Sequence, residues 1–152
     1  MTATGAESDD GVAVSGDRTV VVADTPPTRD RFGWEDREFA IHCHSGRVIE
    51  ARWRGVPLLP VFEAADVAPE TTHLLVTAHD GYQVCVSILA AREALLGFYR
   101  DALRVRNGEG ASLGTPRFLA TDLDSTEAVR DVDRVEAVSV PSGATPLEYA
   151  TE

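Results

Sequence analysis

Three consecutive residues, His42-Cys43-His44, form the densest group of potential ligands and nucleophiles in the chain. A thiolate flanked by imidazoles suggests zinc, which both groups ligate. The surrounding pattern argues otherwise. Glu38–Cys43 alternates as a strand, with Phe39, Ile41 and Cys43 on one face and His42 and His44 on the other. Successive strand side chains point to opposite faces, so Cys43 does not share one ion with its two neighbours. No Cys-x-x-Cys or His-x-x-x-His spacing supplies the missing ligands. On residue pattern alone, Cys43 reads as a small apolar side chain beside Phe39 and Ile41, and Cys85, between Val84 and Val86, reads the same way more strongly.

Other routes to chemistry are thin. The chain has no Gly-x-Ser-x-Gly elbow, no phosphate-binding P-loop and no dinucleotide glycine pattern. Gly108-Glu-Gly110 is a turn with no helix start behind it. Carboxylates are numerous, yet none is singled out as half of an acid–base pair. His73 and His79 border a strand and a turn and read as structural or exposed.

The elements that must position these residues are short and β-rich. Thr19–Ala23 is β-branched and is stopped by Thr25-Pro-Pro27. Arg47–Arg54 alternates imperfectly, and Pro57 opens a short helix through Ala65. His73–Thr77 and Tyr82–Ile88 flank Asp80-Gly81, a hairpin signal. Leu89–Phe98 is ambiguous between helix and strand, with Ala90–Leu95 favouring helix on propensity. Phe118–Thr121 and Val132–Val140 complete the strands, with a helical turn near Ser125–Arg130 between them. Irregularly mixed strands and short helices predict an α+β fold. The small, acidic residues 1–17 read as a disordered tail and 141–152 as a loose C-terminal tail, leaving a single domain over 18–140.

Composition limits the partners. The 152 residues contain 14 arginines and no lysine, against 25 acidic residues, for a net charge of −11. Such a chain is repelled by phosphate backbones and anionic lipids, which argues against nucleic-acid and membrane partners. Dense carboxylates without lysine suit a halophilic protein, though a GC-rich genome also replaces lysine with arginine. With no apolar leader and no disulfide framework, the expected location is cytoplasmic.

The ordered set of short motifs says more than any one of them. Phe39-Ala-Ile41-His-Cys43-His-Ser45-Gly46 is followed by Trp53-Arg-Gly55-Val-Pro57-Leu58, then Asp80-Gly81-Tyr82 and Ala94-Leu95-Leu96-Gly97-Phe98. Gly114-Thr-Pro116-Arg117 and Val129-Arg130-Asp-Val132-Asp-Arg134-Val135 close the series. In this order the chain resembles the oxidoreductase molybdopterin-binding domain, the fold of sulfite oxidase and of the catalytic subunit of protein-methionine-sulfoxide reductase. The resemblance covers residues 19–140. It implies a mixed β-sheet, barrel-like fold and a molybdopterin cofactor whose metal is ligated by the Cys43 thiolate. It also implies that His44, Arg47, Arg117, Arg130 and Arg134 bind the cofactor phosphate or an oxyanion, Arg130 standing where the family usually has lysine. Trp53, Gly55, Pro57 and Leu58 would build the turn and core beside the site.

The chain departs from the family in several places. The upstream segment rich in Asn, His and Arg is reduced to Asp24–Trp34, and Asn107 is the single asparagine. Asp131 replaces an aromatic before the final strand, and the Pro116-Arg117 spacing is one residue short. Two readings follow. In the first, the chain is a molybdopterin-dependent oxidoreductase performing two-electron oxygen-atom transfer on a small oxyanion or sulfoxide-type substrate. It then needs an electron-transfer protein, because no haem or flavin motif is present. In the second, it is a binding or scaffold module of the same fold that has lost the cofactor.

Overall fold

In the computed structural model, residues 11–42, 46, 48–100, 116–121 and 127–140 are described. One expected strand, β2 (Thr19–Val22), forms a hairpin at the N-terminal side with a strand that was not expected, β1 (Val12–Ser15), in antiparallel register. Val12, Val14, Val20 and Val22 are buried while Val21 faces solvent, the period of two that a half-buried strand requires. The ordered fold therefore starts earlier than the tail expected over residues 1–17. The flanking glycines hid a four-residue valine alternation, and its second partner, β9 (Val132–Val138), comes from the far end of the chain and runs parallel to it. The hairpin turn is seated on the chain around Ala65 by hydrogen bonds from Asp17 N to Asp66 O (3.2 Å) and Arg18 N to Ala65 O (2.9 Å).

The Pro26-Pro27 pair that ends β2 also opens a helix, α1 (Pro26–Phe32), because proline's fixed φ suits the first helical turn. Asp24 clamps this helix to the sheet behind it. Its carboxylate accepts from Arg29 Nη2 (2.5 Å) and from the Tyr99 hydroxyl, while the Arg29 guanidinium lies 4.0 Å from the Trp34 ring centre.

A four-stranded antiparallel sheet runs in the order β3 (Glu35–His42), β4 (Val48–Pro57), β7 (Leu95–Arg100), β8 (Arg117–Leu119). Phe39 and Ile41 are buried and His42 exposed, as the alternation predicts. At Pro57 the chain turns into α2 (Leu58–Ala64), which buries Leu58, Val61 and Phe62. In the run left ambiguous over Leu89–Phe98, the α-helix favoured over Ala90–Leu95 does not form. A 3-10 turn covers Ile88–Glu93, and β7 follows at once with Leu95, Leu96 and Phe98 buried. Tertiary pairing on both edges overrides the alanine and leucine propensities there.

The second sheet has five strands in the order β2-β1-β9-β5-β6. β5 (His73–Ala78) and β6 (Gln83–Ser87) form the expected hairpin. Gly81 sits at φ 97°, and Asp80 Oδ1 accepts from Tyr82 N at 3.1 Å. The last strand, β9 (Val132–Val138), lies between β1 and β5. Just before it, Asp131 takes the left-handed conformation (φ 53°) and its carbonyl accepts from His79 N at 2.8 Å. This bend carries the chain from the four-stranded to the five-stranded sheet. Asp tolerates such a φ better than a bulky aromatic does. The result is a sheet-rich fold with two short α-helices among the described residues and one sheet curled into a half-barrel, in keeping with α+β.

Candidate functional site

Four cross-strand pairings on the four-stranded sheet create a cationic face around one indole. Arg37 of β3 stands opposite Trp53 of β4, and Trp53 stands opposite Arg100 of β7. Arg117 of β8 stands opposite Gly97, itself opposite Gly55. Directly opposed residues in antiparallel strands share a face. A bulge decides which residue meets the indole: pairing shifts between Arg54 and Gly55, so Tyr99 meets Arg54 and Arg100 meets Trp53. A regular ladder would have put Tyr99 opposite Trp53 and turned Arg100 to the other face.

Trp53 is 1% exposed and its ring lies over Gly97, where an added Cβ would come within 3.0 Å of Trp53 Cε3. The guanidinium carbons of Arg100 and Arg117 lie 5.6 and 5.8 Å from the ring centre, within cation–π range. Their hydrogen bonding differs. Arg37 is engaged by the Glu35 carboxylate and by Glu93 O at 2.8 Å. Arg117 Nε donates to Ala128 O at 3.0 Å. Arg100 Nε and Trp53 Nε1 are buried with no acceptor among the described residues.

The backbone stretches that hold Arg117 and Arg130 lie side by side. Phe118 N donates to Val129 O (3.0 Å) and Val132 N to Pro116 O (2.9 Å), so the stretch carrying Arg130 runs alongside β8. Arg130 is exposed there. Arg134 lies in the other sheet, on β9 opposite Thr77 and Ala13, with Nη1 4.0 Å from Glu136 Oε2. Cys43, His44 and Arg47 lie outside the described residues; the pair His42 and Val48 is the last rung of the hairpin that leads to them. Among the described residues, no group of three His, Cys, Asp or Glu side chains could hold a metal ion.

Cys85 faces Leu75 across the β5–β6 pair and is half-buried, and burial pushes its thiol pKa up. It is therefore a poor nucleophile in the folded state. Iodoacetamide at pH 8 should modify Cys85 several-fold more slowly in native protein than after denaturation, as followed by peptide mass spectrometry. Equal rates would contradict its placement in β6. The raised pKa also means that folding gains from the neutral thiol below the unfolded-state pKa, and that this gain fades as pH rises through the folded-state value.

Sequence reasoning did not find Arg100. It falls two residues beyond the ambiguous run Leu89–Phe98, and the bulge that turns it toward Trp53 has no local signature. The unpartnered indole nitrogen of Trp53 was equally invisible.

No protein-family profile matches the chain, and no curated protein matches it either. Among solved structures, its fold is that of part of an oxidoreductase by name: the crystal structure of the sulfane dehydrogenase SoxCD from Paracoccus pantotrophus aligns with a TM-score of 0.69 at 16% identity. The alignment covers 88% of this chain and 39% of that one, so the chain spans well under half of its structural neighbour. At this identity the likeness establishes a shared fold. No helix among the described residues is long and apolar enough to cross a membrane.

Proposed function

We propose that the chain is a molybdopterin-dependent oxidoreductase of the sulfite oxidase-like type, with Cys43 as the thiolate ligand of molybdenum. The observation that carries this reading is the adjacency of the stretches that hold Arg117 and Arg130: two residues assigned to the cofactor from separate motifs lie on neighbouring, hydrogen-bonded stretches of backbone. The fold shared with a sulfane dehydrogenase and the order of the sequence motifs support it.

The donor chemistry suits the cofactor's anionic end. A guanidinium is charged at every physiological pH and offers a planar fork to phosphate oxygens. Arg117 is held by its bond to Ala128 O and by its place near the Trp53 ring, so part of its ordering cost is met before a ligand arrives. Arg130 is exposed and supplies the more adaptable contact. Arg47 and His44, neighbours of Cys43 in sequence, would favour its thiolate form, and Arg134 would add positive charge from the second sheet. Bound molybdopterin would supply two-electron oxygen-atom transfer, which none of the protein side chains provides. The residues themselves bind, orient and neutralise charge. A small oxyanion or sulfoxide-type substrate and a separate, cytoplasmic electron-transfer protein complete the proposal.

The double variant Arg117→Gln/Arg130→Gln tests the assignment. Pterin released by denaturation and measured by its fluorescence should fall at least ~10-fold relative to wild type, since each charge-assisted contact contributes about 1.5–3 kcal/mol. Unchanged pterin content in the folded variant would remove both arginines from the site. Wild-type protein without pterin, from a host that makes the cofactor, would favour the cofactor-less scaffold module.

A further inference from the structure

We propose that helix α1 and the residues flanking it, Asp24 and Trp34, form a clamp that selects between two registers of β7 and so sets whether Arg100 carries its charge to the Trp53 face. The bulge leaves Phe98 as the extra residue of β7, since Gly97 pairs with Gly55 and Tyr99 with Arg54. In an unbroken strand Phe98 and Tyr99 would project to opposite faces. Here both rings reach the same indole: Trp34 stacks on Phe98 with ring centres 6.1 Å apart and meets Tyr99 edge-on at 6.0 Å. Trp34 therefore grips both of the residues that the bulge turns to one side. Helix α1 closes the grip. Arg29 lies 4.0 Å from the Trp34 ring centre and bonds Asp24 Oδ1, while Asp24 Oδ2 accepts from the Tyr99 hydroxyl.

The clamp is needed because the bulged register carries costs of its own. Arg100 Nε is buried with no acceptor among the described residues, and a buried donor left unpaired loses its hydration without replacement. The bulge also interrupts the ladder. Re-pairing residues 98–100 by one position removes both costs. Tyr99 would then stand opposite Trp53, and Arg100 opposite Arg52, an exposed residue whose other neighbour is Glu38. Arg100 would be solvated on the outer face, and the Tyr99 hydroxyl would leave Asp24. Each register gains contacts that the other lacks, which is the condition for two states of similar free energy. They differ in what stands beside Arg117 at the Trp53 ring: a guanidinium in the bulged register, a phenol in the regular one. A contact that holds or lifts α1 thereby adds or removes one positive charge on that face. The inference uses no cofactor and does not rest on the molybdopterin reading.

Cross-strand backbone NOEs of the purified full chain report the register directly. In wild type they should link Arg54 to Tyr99 and Trp53 to Arg100. In the double variant Asp24→Ala/Trp34→Leu, a second set should link Trp53 to Tyr99 and Arg52 to Arg100. Chemical-exchange saturation transfer should show the population of that register raised at least ~10-fold. Trp34→Phe, which keeps an aromatic ring against Phe98 and Tyr99, should shift the balance less than Trp34→Leu. Arg31→Gln removes a charge from the same helix, but its guanidinium lies over Phe32, so the register should not change. A folded double variant that keeps the wild-type NOE set alone would overturn the proposal. So would Arg31→Gln acting as strongly as Trp34→Leu. Should the double variant not fold, the single variants decide, and populations in Asp24→Ala and Trp34→Leu equal to wild type would overturn it. The measurement needs no metal or pterin, so its failure leaves the cofactor reading standing, and the reverse also holds.

Discussion

Gly55→Ala should destabilise the protein by more than ~3 kcal/mol or prevent folding, the largest effect expected from any single methyl group here. A Cβ at position 55 would stand 2.0 Å from the Leu96 carbonyl oxygen and 2.9 Å from Gly97 Cα. Both are backbone atoms in the neighbouring strand, so no rotamer change relieves the clash. The β4–β7 pair would have to separate at its bulge, exposing Val56 and Leu96, which are fully buried. Gly97→Ala makes an informative contrast. Its new Cβ would meet Leu119 Cδ1 at 2.8 Å and Trp53 Cε3 at 3.0 Å, side-chain atoms that can move. It should cost less than Gly55→Ala while shifting Trp53. Urea unfolding followed by tryptophan fluorescence would measure both. A Gly55→Ala midpoint equal to wild type would mean that the β4–β7 register is wrong.

This contrast also shows where sequence reading stops. Local signals were sufficient for the β5–β6 hairpin, where Asp80-Gly81 supplies its own turn, and for α2, where Pro57 marks the start. The burial of Phe39 and Ile41 followed from simple alternation. Long-range pairing was not legible. β1 exists because β9 lies parallel beside it, and β7 is a strand because β4 and β8 claim its two edges. Nothing within Leu89–Phe98 announces either partner. The candidate site divides the same way. Arg117 and Arg130 were named from short motifs, and the backbone bonds between Pro116–Phe118 and Val129–Val132 lay the stretches that hold them side by side. Arg100 depends on a one-residue shift between two strands, which only the assembled sheet reveals. Gly55, assigned to turn and core from its motif, proved to be a point of contact between two backbones.

Cys43→Ser should have the largest functional effect, because it replaces a soft thiolate with a hard, neutral hydroxyl at the proposed metal ligand. Its stability cost should be small by comparison. The exchange conserves shape closely, and the neighbouring apolar residues Phe39 and Ile41 hold the strand in place. Folding and metal loading should therefore separate cleanly. A variant that lost both together would not distinguish a ligand from a structural residue, so circular dichroism must accompany the metal analysis.

The most direct measurement is the molybdenum-to-protein ratio of the chain purified from a molybdate-fed host that makes the cofactor. The account predicts near-stoichiometric molybdenum in wild type and a loss of ~10-fold or more in folded Cys43→Ser. A metal-free wild-type protein from such a host, or a Cys43→Ser variant that keeps the full complement, would contradict it.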